Sequence, residues 1–241
     1  MAAAVMGGAG GGAFRIVPEL AVTSVPAAVA MLAAEFGFAA QGTRLVRGDQ
    51  VIALVPGQPG PGHGMIDHLA LKAVDADAAS AAAIRRGAVI DRHVTPDGPL
   101  EIAAFWENGV RYQFFEGPEG ARLEFCARRG TRLDAGVGLD EALPGHDHIG
   151  LCCRDIEASV QFYQDLGFDI AFATTLAPPE GPLPVRFLAR DGQMLELYSP
   201  VARRSGAMVL PARGHWHGLR LEGAGRSGVM QGPDGESITL V

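Results

Sequence analysis

The sequence predicts an α+β protein assembled from tandem βαβββ modules, two of them complete and two eroded. Two observations carry this. First, a segment recurs without a gap at an offset of 80 residues: Asp67-His68-Leu69-Ala70-Leu71 matches Asp147-His148-Ile149-Gly150-Leu151, and the match continues through Asp75/Asp155, Ala78/Ala158, Gly87/Gly167 and Ile90/Ile170. Second, a further shared element follows in each copy. Val110-Arg111-Tyr112 and Leu123-Glu124-Phe125 in one answer to Val185-Arg186-Phe187 and Leu195-Glu196-Leu197 in the other. Self-similarity of this kind marks a duplicated supersecondary unit.

Within each copy the elements follow in order. The His-bearing segment is an alternating apolar run and reads as a strand. Asp75 and Asp155 are suited to cap a helix, because a carboxylate accepts from the free N–H groups of a first turn. Ile156, Val160, Tyr163 and Leu166 then fall on one helical face, and Gly87 and Gly167 can end the helix in a left-handed conformation. After an intervening strand, Pro118-Glu119-Gly120 and Asp191-Gly192 supply turn chemistry between two alternating runs, which closes each copy as a hairpin.

Two weaker copies flank these. Toward the N-terminus Glu19-Leu20-Ala21-Val22 takes the place of the His strand, a helix runs from about Pro26 to Phe36, Gly37 closes it, and a hairpin turns at Gly48-Asp49. Toward the C-terminus Gly214-His215-Trp216-His217 echoes Gly145-His146-Asp147-His148, and Gly232-Pro233-Asp234-Gly235 with Ile238-Thr239-Leu240 echoes Gly117-Pro118-Glu119-Gly120 with Leu123-Glu124-Phe125; the helix of this copy is lost. Stretches rich in Gly and Pro separate the copies at 57–64, 130–145 and 199–214. The expected organisation is a flexible Gly-rich leader over 1–13, two modules over 14–128 with a break near 57–64, and two modules over 146–241 with a break near 200–213.

With 241 residues, 48% of them apolar, the chain can bury a proper core without disulfides. Twenty-seven acidic residues against 20 basic ones give a net charge of −7. With no dense basic run, this argues against nucleic acid and membrane surfaces as partners. No stretch approaches the ~18 apolar residues of a spanning helix. The expected location is the cytoplasm, and Cys126, Cys152 and Cys153, odd in number and without metal-site spacing, read as small buried hydrophobes.

In each complete copy one His lies on the first strand and one Glu near the middle of the last, among apolar neighbours. A buried Glu is rare unless paired or metal-bound. A lone strand His is ordinarily a satisfied core imidazole, but that reading must explain His68/His148 and Glu124/Glu196 returning together. Two imidazoles and two carboxylates suit an octahedral divalent first-row ion with two adjacent positions left for substrate. A tetrahedral structural zinc is the weaker alternative, since such sites are mostly closed by Cys. Arg111 and Arg186 recur at equivalent strand positions and could clamp a substrate carboxylate or phosphate, or stand as charges on the outer sheet face. His63 and His93 read as surface residues.

At these residues the chain resembles the vicinal oxygen chelate superfamily, the group of glyoxalase I, bleomycin-resistance proteins and extradiol dioxygenases. The stretch from Asp147-His148-Ile149 through Asp155-Ile156 to Phe162-Tyr163 and Leu166-Gly167-Phe168 carries the resemblance most fully. It implies that modules pair into open, barrel-like half-barrels around a metal, with His68, Glu124, His148 and Glu196 as ligands. The implied cofactor is a divalent ion (Zn, Ni, Co, Mn or Fe), and the partner a small-molecule substrate, with a homodimer also in keeping with the family. Two pairings are open. If the inner modules pair, the four intact ligands converge and the outer modules form a dead barrel, which is the favoured arrangement. If neighbours pair, one barrel presents Glu19, His68 and Glu124 and the other His148, Glu196 and His217, with Ala53 and Thr239 at the remaining positions; His217 is then the alternative metal ligand. The implied activity is a glyoxalase-like lyase, isomerase or epimerase acting through an enediolate, with Glu124 or Glu196 as catalytic base. An Fe(II) extradiol-type dioxygenase and a non-catalytic drug-binding protein are the alternatives.

Overall fold

The computed structural model describes residues 13–134, 136–211 and 213–241, so the expected leader lies, up to residue 12, outside the described residues. Module one comprises β1 (Arg15–Val22), α1 (Val25–Phe36), β2 (Ala39–Gln41), β3 (Arg44–Arg47) and β4 (Gln50–Pro56). Module two comprises β5 (Ile66–Lys72), α2 (Ala76–Arg85), β6 (Val89–Ile90), β7 (Leu100–Ile102), β8 (Val110–Glu116) and β9 (Arg122–Arg128). A short α3 (Leu139–Ala142) leads into module three: β10 (Gly145–Cys152), α4 (Ile156–Asp165), β11 (Asp169–Leu176), β12 (Leu183–Arg190) and β13 (Gln193–Tyr198). After α5 (Val201–Arg204), module four has only β14 (Trp216–Glu222), β15 (Gly228–Gln231) and β16 (Ser237–Leu240).

Local chemistry explains the helix ends. Ser24, Asp75 and Asp155 are extended N-caps whose side chains accept first-turn N–H groups, a contribution of about 1 kcal/mol each. Gly37 ends α1 at φ 70°, and Gly87 and Gly167, at φ 106° and 87°, follow the last turns of α2 and α4, conformations that cost a side-chain-bearing residue. The intervening strand of module two departs from the single strand expected. It is split into β6 and β7, both on β8, because Thr95-Pro96-Asp97-Gly98-Pro99 cannot sustain a ladder and Asp91 instead folds the chain back by accepting from the N–H of His93 and Thr95.

The strands form two open sheets. One runs β11-β12-β13-β10-β5-β9-β8 with β6 and β7 on β8, and unites modules two and three through the antiparallel pair β5/β10. The other, β15-β16-β14-β1-β4-β3-β2, unites modules one and four through β1/β14. Each sheet therefore draws one module from either half of the chain. The main core lies between sheets and helices: Phe36 of α1 meets Phe115 and Phe125 edge-on at 6.1 Å each, and Phe14 meets Phe168 at 5.6 Å. A second apolar cluster, including Ala70, Phe105, Val110, Val185 and Phe187, covers the opposite face of the larger sheet. No helix among the described residues is long and apolar enough to cross a membrane.

Candidate metal centre

Strand alternation sends Leu69, Leu123, Ile149 and Leu195 into the main core and His68, Glu124, His148 and Glu196 to the opposite face, where the pseudo-twofold pairing of β5 with β10 brings all four together. The two Nε2 atoms stand 3.2 Å apart. Glu124 Oε2 lies 3.1 Å from His68 Nε2 and 3.6 Å from His148 Nε2, and Glu196 Oε2 lies 3.5 Å from each. Ligand atoms about 2.1 Å from a shared ion, at cis or tetrahedral angles, are separated by about 3.0–3.4 Å. His68, Glu124 and His148 form a compact donor group, and Glu196, 3.5 Å from both imidazoles, stands beside it; in chemistry the set suits a first-row divalent ion.

Two aspartates complete the arrangement. Asp67 accepts from His68 Nδ1 at 3.0 Å and Asp147 from His148 Nδ1 at 2.7 Å. Residues adjacent on a regular strand point to opposite faces, so these contacts need a bulge. The β5/β10 register does slip on both strands, at Asp67 and at Asp147, which re-aims each carboxylate beside its own imidazole. With Nδ1–H engaged, the Nε2 lone pair faces the shared centre, as a metal-binding imidazole requires. Gly150 is part of the same design: a Cβ there would lie 2.0 Å from His68 Cε1.

Burial opposes charge on His68, but hydrogen bonds with Asp67 and Glu124 outweigh it and raise its pKa to about 9. His148 is raised in the same way by Asp147, Glu124 and Glu196 against burial. Burial pushes Glu124 and Asp67 upward, yet bonds to the imidazoles hold both down at about 2. The buried carboxylates thus favour positive charge at this point, which a divalent cation would supply.

The four side chains form the floor of a cavity of about 310 Å³. Phe114 and Phe187 stand edge-on to His68 and His148 at 5.1 and 5.4 Å. The strand registers align Phe114 with Phe187 and Tyr112 with Val185, two residues off the alignment expected from sequence, so Arg111 and Arg186 do not occupy equivalent positions. Tyr112 is lifted to about 12 by burial and by the charges of Glu124 and Glu196, and so keeps its proton. Cys126 lies within reach of Asp147 and His148 as a second donor group; all three cysteines are free and buried.

The remaining sequence candidates lie elsewhere. Arg111 and Arg186 are on the helix side of the sheet, one residue out of phase with Tyr112 and Phe187. Arg111 makes a two-pronged pair with Asp77 of α2 at 2.8 Å and Arg186 pairs with Glu157 of α4 at 3.0 Å, so neither clamps a ligand in the cavity. His93 is exposed, but His63 is half-buried with its ring 5.3 Å from that of His215. His217 is in the other sheet from Glu196 and occupies the bulge between Trp216 and Gly218. Superposing the two registers puts Val17, Ala53, Gly218 and Thr239 at the places of His68, Glu124, His148 and Glu196. Glu19 and His217 are thus displaced from the ligand positions suggested by sequence. Glu19 corresponds to Ala70 and Arg220 to Gly150, and their side chains, 3.6 Å apart, form an ion pair in the outer sheet.

A sequence profile of the Glyoxalase/Bleomycin resistance protein/Dioxygenase superfamily matches residues 145–224. No curated protein matches the chain. Among solved structures it is similar to glyoxalase I from Zea mays, with 14% identity over 95% of this chain and 92% of that one and a TM-score of 0.64. A single-residue mutant of that protein gives 13% identity over 95% and 92%, with a TM-score of 0.66. A provisionally named dioxygenase from Bacillus subtilis subsp. subtilis str. 168 gives 12% identity over 93% and 83%, with a TM-score of 0.58. The family model thus matches a third of the chain, residues 145–224, and over its length the chain is similar in fold to glyoxalase I.

Proposed function

We propose that the protein is a metal-dependent enzyme of proton chemistry, a lyase, isomerase or epimerase acting on a small substrate with two adjacent oxygens. The observation that supports this best is the pair of buried carboxylates, Glu124 and Glu196, facing two imidazoles on the floor of an apolar cavity. His68, Glu124, His148 and Glu196 would hold a divalent ion, which when bound supplies Lewis acidity to the substrate oxygens and acidifies the neighbouring C–H. Asp67 and Asp147 orient the two imidazoles, and Phe114 and Phe187 wall them from water. One of Glu124 and Glu196 takes the proton at its carboxylate oxygen; its return to an adjacent atom gives isomerisation, delivery of a proton to the opposite face of the same carbon gives epimerisation, and departure of a β substituent as the C–H electron pair forms a double bond gives elimination. Tyr112 remains a hydrogen-bond donor throughout, and its lack of a counterpart in module three makes the two carboxylates inequivalent.

The test uses 2-hydroxyacetophenone in deuterated buffer without O2. The Zn- or Co-loaded protein is expected to exchange the substrate's acidic C–H, and Glu124→Gln or Glu196→Gln to retain metal while the faster-affected of the two loses about 10²–10⁴-fold in rate. Full exchange activity in both variants would refute the proton-transfer role. Strict dependence on Fe(II) and O2 without exchange would instead make the protein an oxygenase.

A further inference from the structure

We infer that the part of the substrate beyond its two oxygens is an uncharged apolar group, an aromatic ring or compact branched alkyl chain, and that Phe105 sets this preference. The inference deepens the chelation reading above and rests on it. Apart from the four proposed ligands, the only charged side chains lining the cavity among the described residues are Asp67 and Arg122. These pair with each other at 2.9 Å, and Arg122 also pairs with Asp91 at 3.1 Å. No lining cation is left to receive a carboxylate or phosphate. A divalent ion held by two carboxylates is electrically neutral, so an anionic substituent buried beside it would carry an uncompensated charge, which is costly in a dry site. The volume corresponds to about ten water-sized groups, enough for a single ring and its two oxygens.

Leu176, Leu183, Val185 and Phe187 of module three supply part of the apolar wall, and Phe105 closes it from module two. The segment 91–109, which splits the intervening strand of module two, reaches across to module three. Phe105 stands edge-on to Phe187 at 5.3 Å and to Phe172 at 6.2 Å. Trp106 stacks on Phe172 at 4.8 Å, with the Arg128 guanidinium 4.2 Å over its ring. Trp106 takes the uncommon φ of 57°, which these contacts must hold in place. The Arg128 guanidinium is thereby engaged by an aromatic face, and the stacked rings hold Phe105 against Phe187.

Calorimetric titration of the Zn-loaded protein with three hydroxamates, each offering the same adjacent oxygens, tests the inference. Benzohydroxamate is expected to bind at least about tenfold more tightly than acetohydroxamate, the minimum effect of burying a ring. It should also bind at least about tenfold more tightly than 4-carboxybenzohydroxamate. Phe105→Ala should remove most of the ring preference while acetohydroxamate binding, the internal control for folding, stays within about twofold; Phe105→Leu should keep most of it. Equal or tighter binding of the carboxylated ligand, or an undiminished ring preference in Phe105→Ala, would overturn the inference and leave chelation intact. Failure of all three ligands to bind would overturn the chelation reading itself.

Discussion

Asp67 and Asp147 each precede a cavity imidazole by one residue, yet each turns back to accept its Nδ1–H, and this local inversion decides how the two imidazoles present themselves. Replacing either with Asn keeps an acceptor but removes the charge that makes the imidazole a stronger donor to a metal. Zinc affinity, read by competition with a chelating dye, is expected to fall about 10–100-fold in Asp67→Asn and in Asp147→Asn; unchanged affinity in both would show that the pairs serve folding alone. The aspartates were visible in the repeated Asp-His dipeptide, but their role was not. Simple alternation places neighbours on opposite faces, and nothing in the local residue pattern announces a bulge. Gly150 was visible as the difference between Ala70 and its counterpart, while its reason, the ring of His68 lying against it, is a long-range contact.

Element by element, legibility tracks how local the controlling physics is. Helices α1, α2 and α4 were readable because their caps, apolar faces and terminal glycines all lie within the segment concerned. The split of the strand before β8 was less so, although Pro96 and Pro99 are its cause. The register of β14 was not readable, because one bulge moves His217 off the ligand row while leaving the similarity to His148 in place. The turn before β16 makes a different link. Glu236 accepts from Tyr163 Oη of α4 at 3.0 Å and from the N–H of Asp234 at 3.1 Å, tying module four to the helix of module three. Burial raises this carboxyl to about 6 from 4.5, against the hydrogen bonds that favour its charged form. The folded state therefore holds the proton over a range where the unfolded chain has lost it. This contribution is present at low pH and is lost as pH rises through about 6. Between pH 7 and pH 5 the wild type should gain about 1 kcal/mol from this group in urea denaturation, and Glu236→Gln should lack that increment. An identical pH dependence in the two proteins would contradict the assignment.

On the scale of the whole molecule, two sheets of related construction carry unequal chemistry. The inner modules keep two imidazoles and two carboxylates, whereas the outer ones place Val17, Ala53, Gly218 and Thr239 at the same register points and bring Glu19 to Arg220 instead. The proposed ligands and the family resemblance were legible because the residues that carry them recur in sequence. Which modules share a sheet depends on contacts between residues far apart in the chain, so the repeat alone left two pairings open. The central claim is that His68, Glu124, His148 and Glu196 hold one ion per chain. Anomalous scattering from crystals grown with cobalt or zinc tests it most directly. The expected map has one strong peak about 2.0–2.3 Å from Nε2 of both histidines and a carboxylate oxygen of both glutamates, with none in the outer sheet; a peak at His217, or one held by Cys126 and Asp147 in place of the glutamates, or no peak at the four residues, would contradict it.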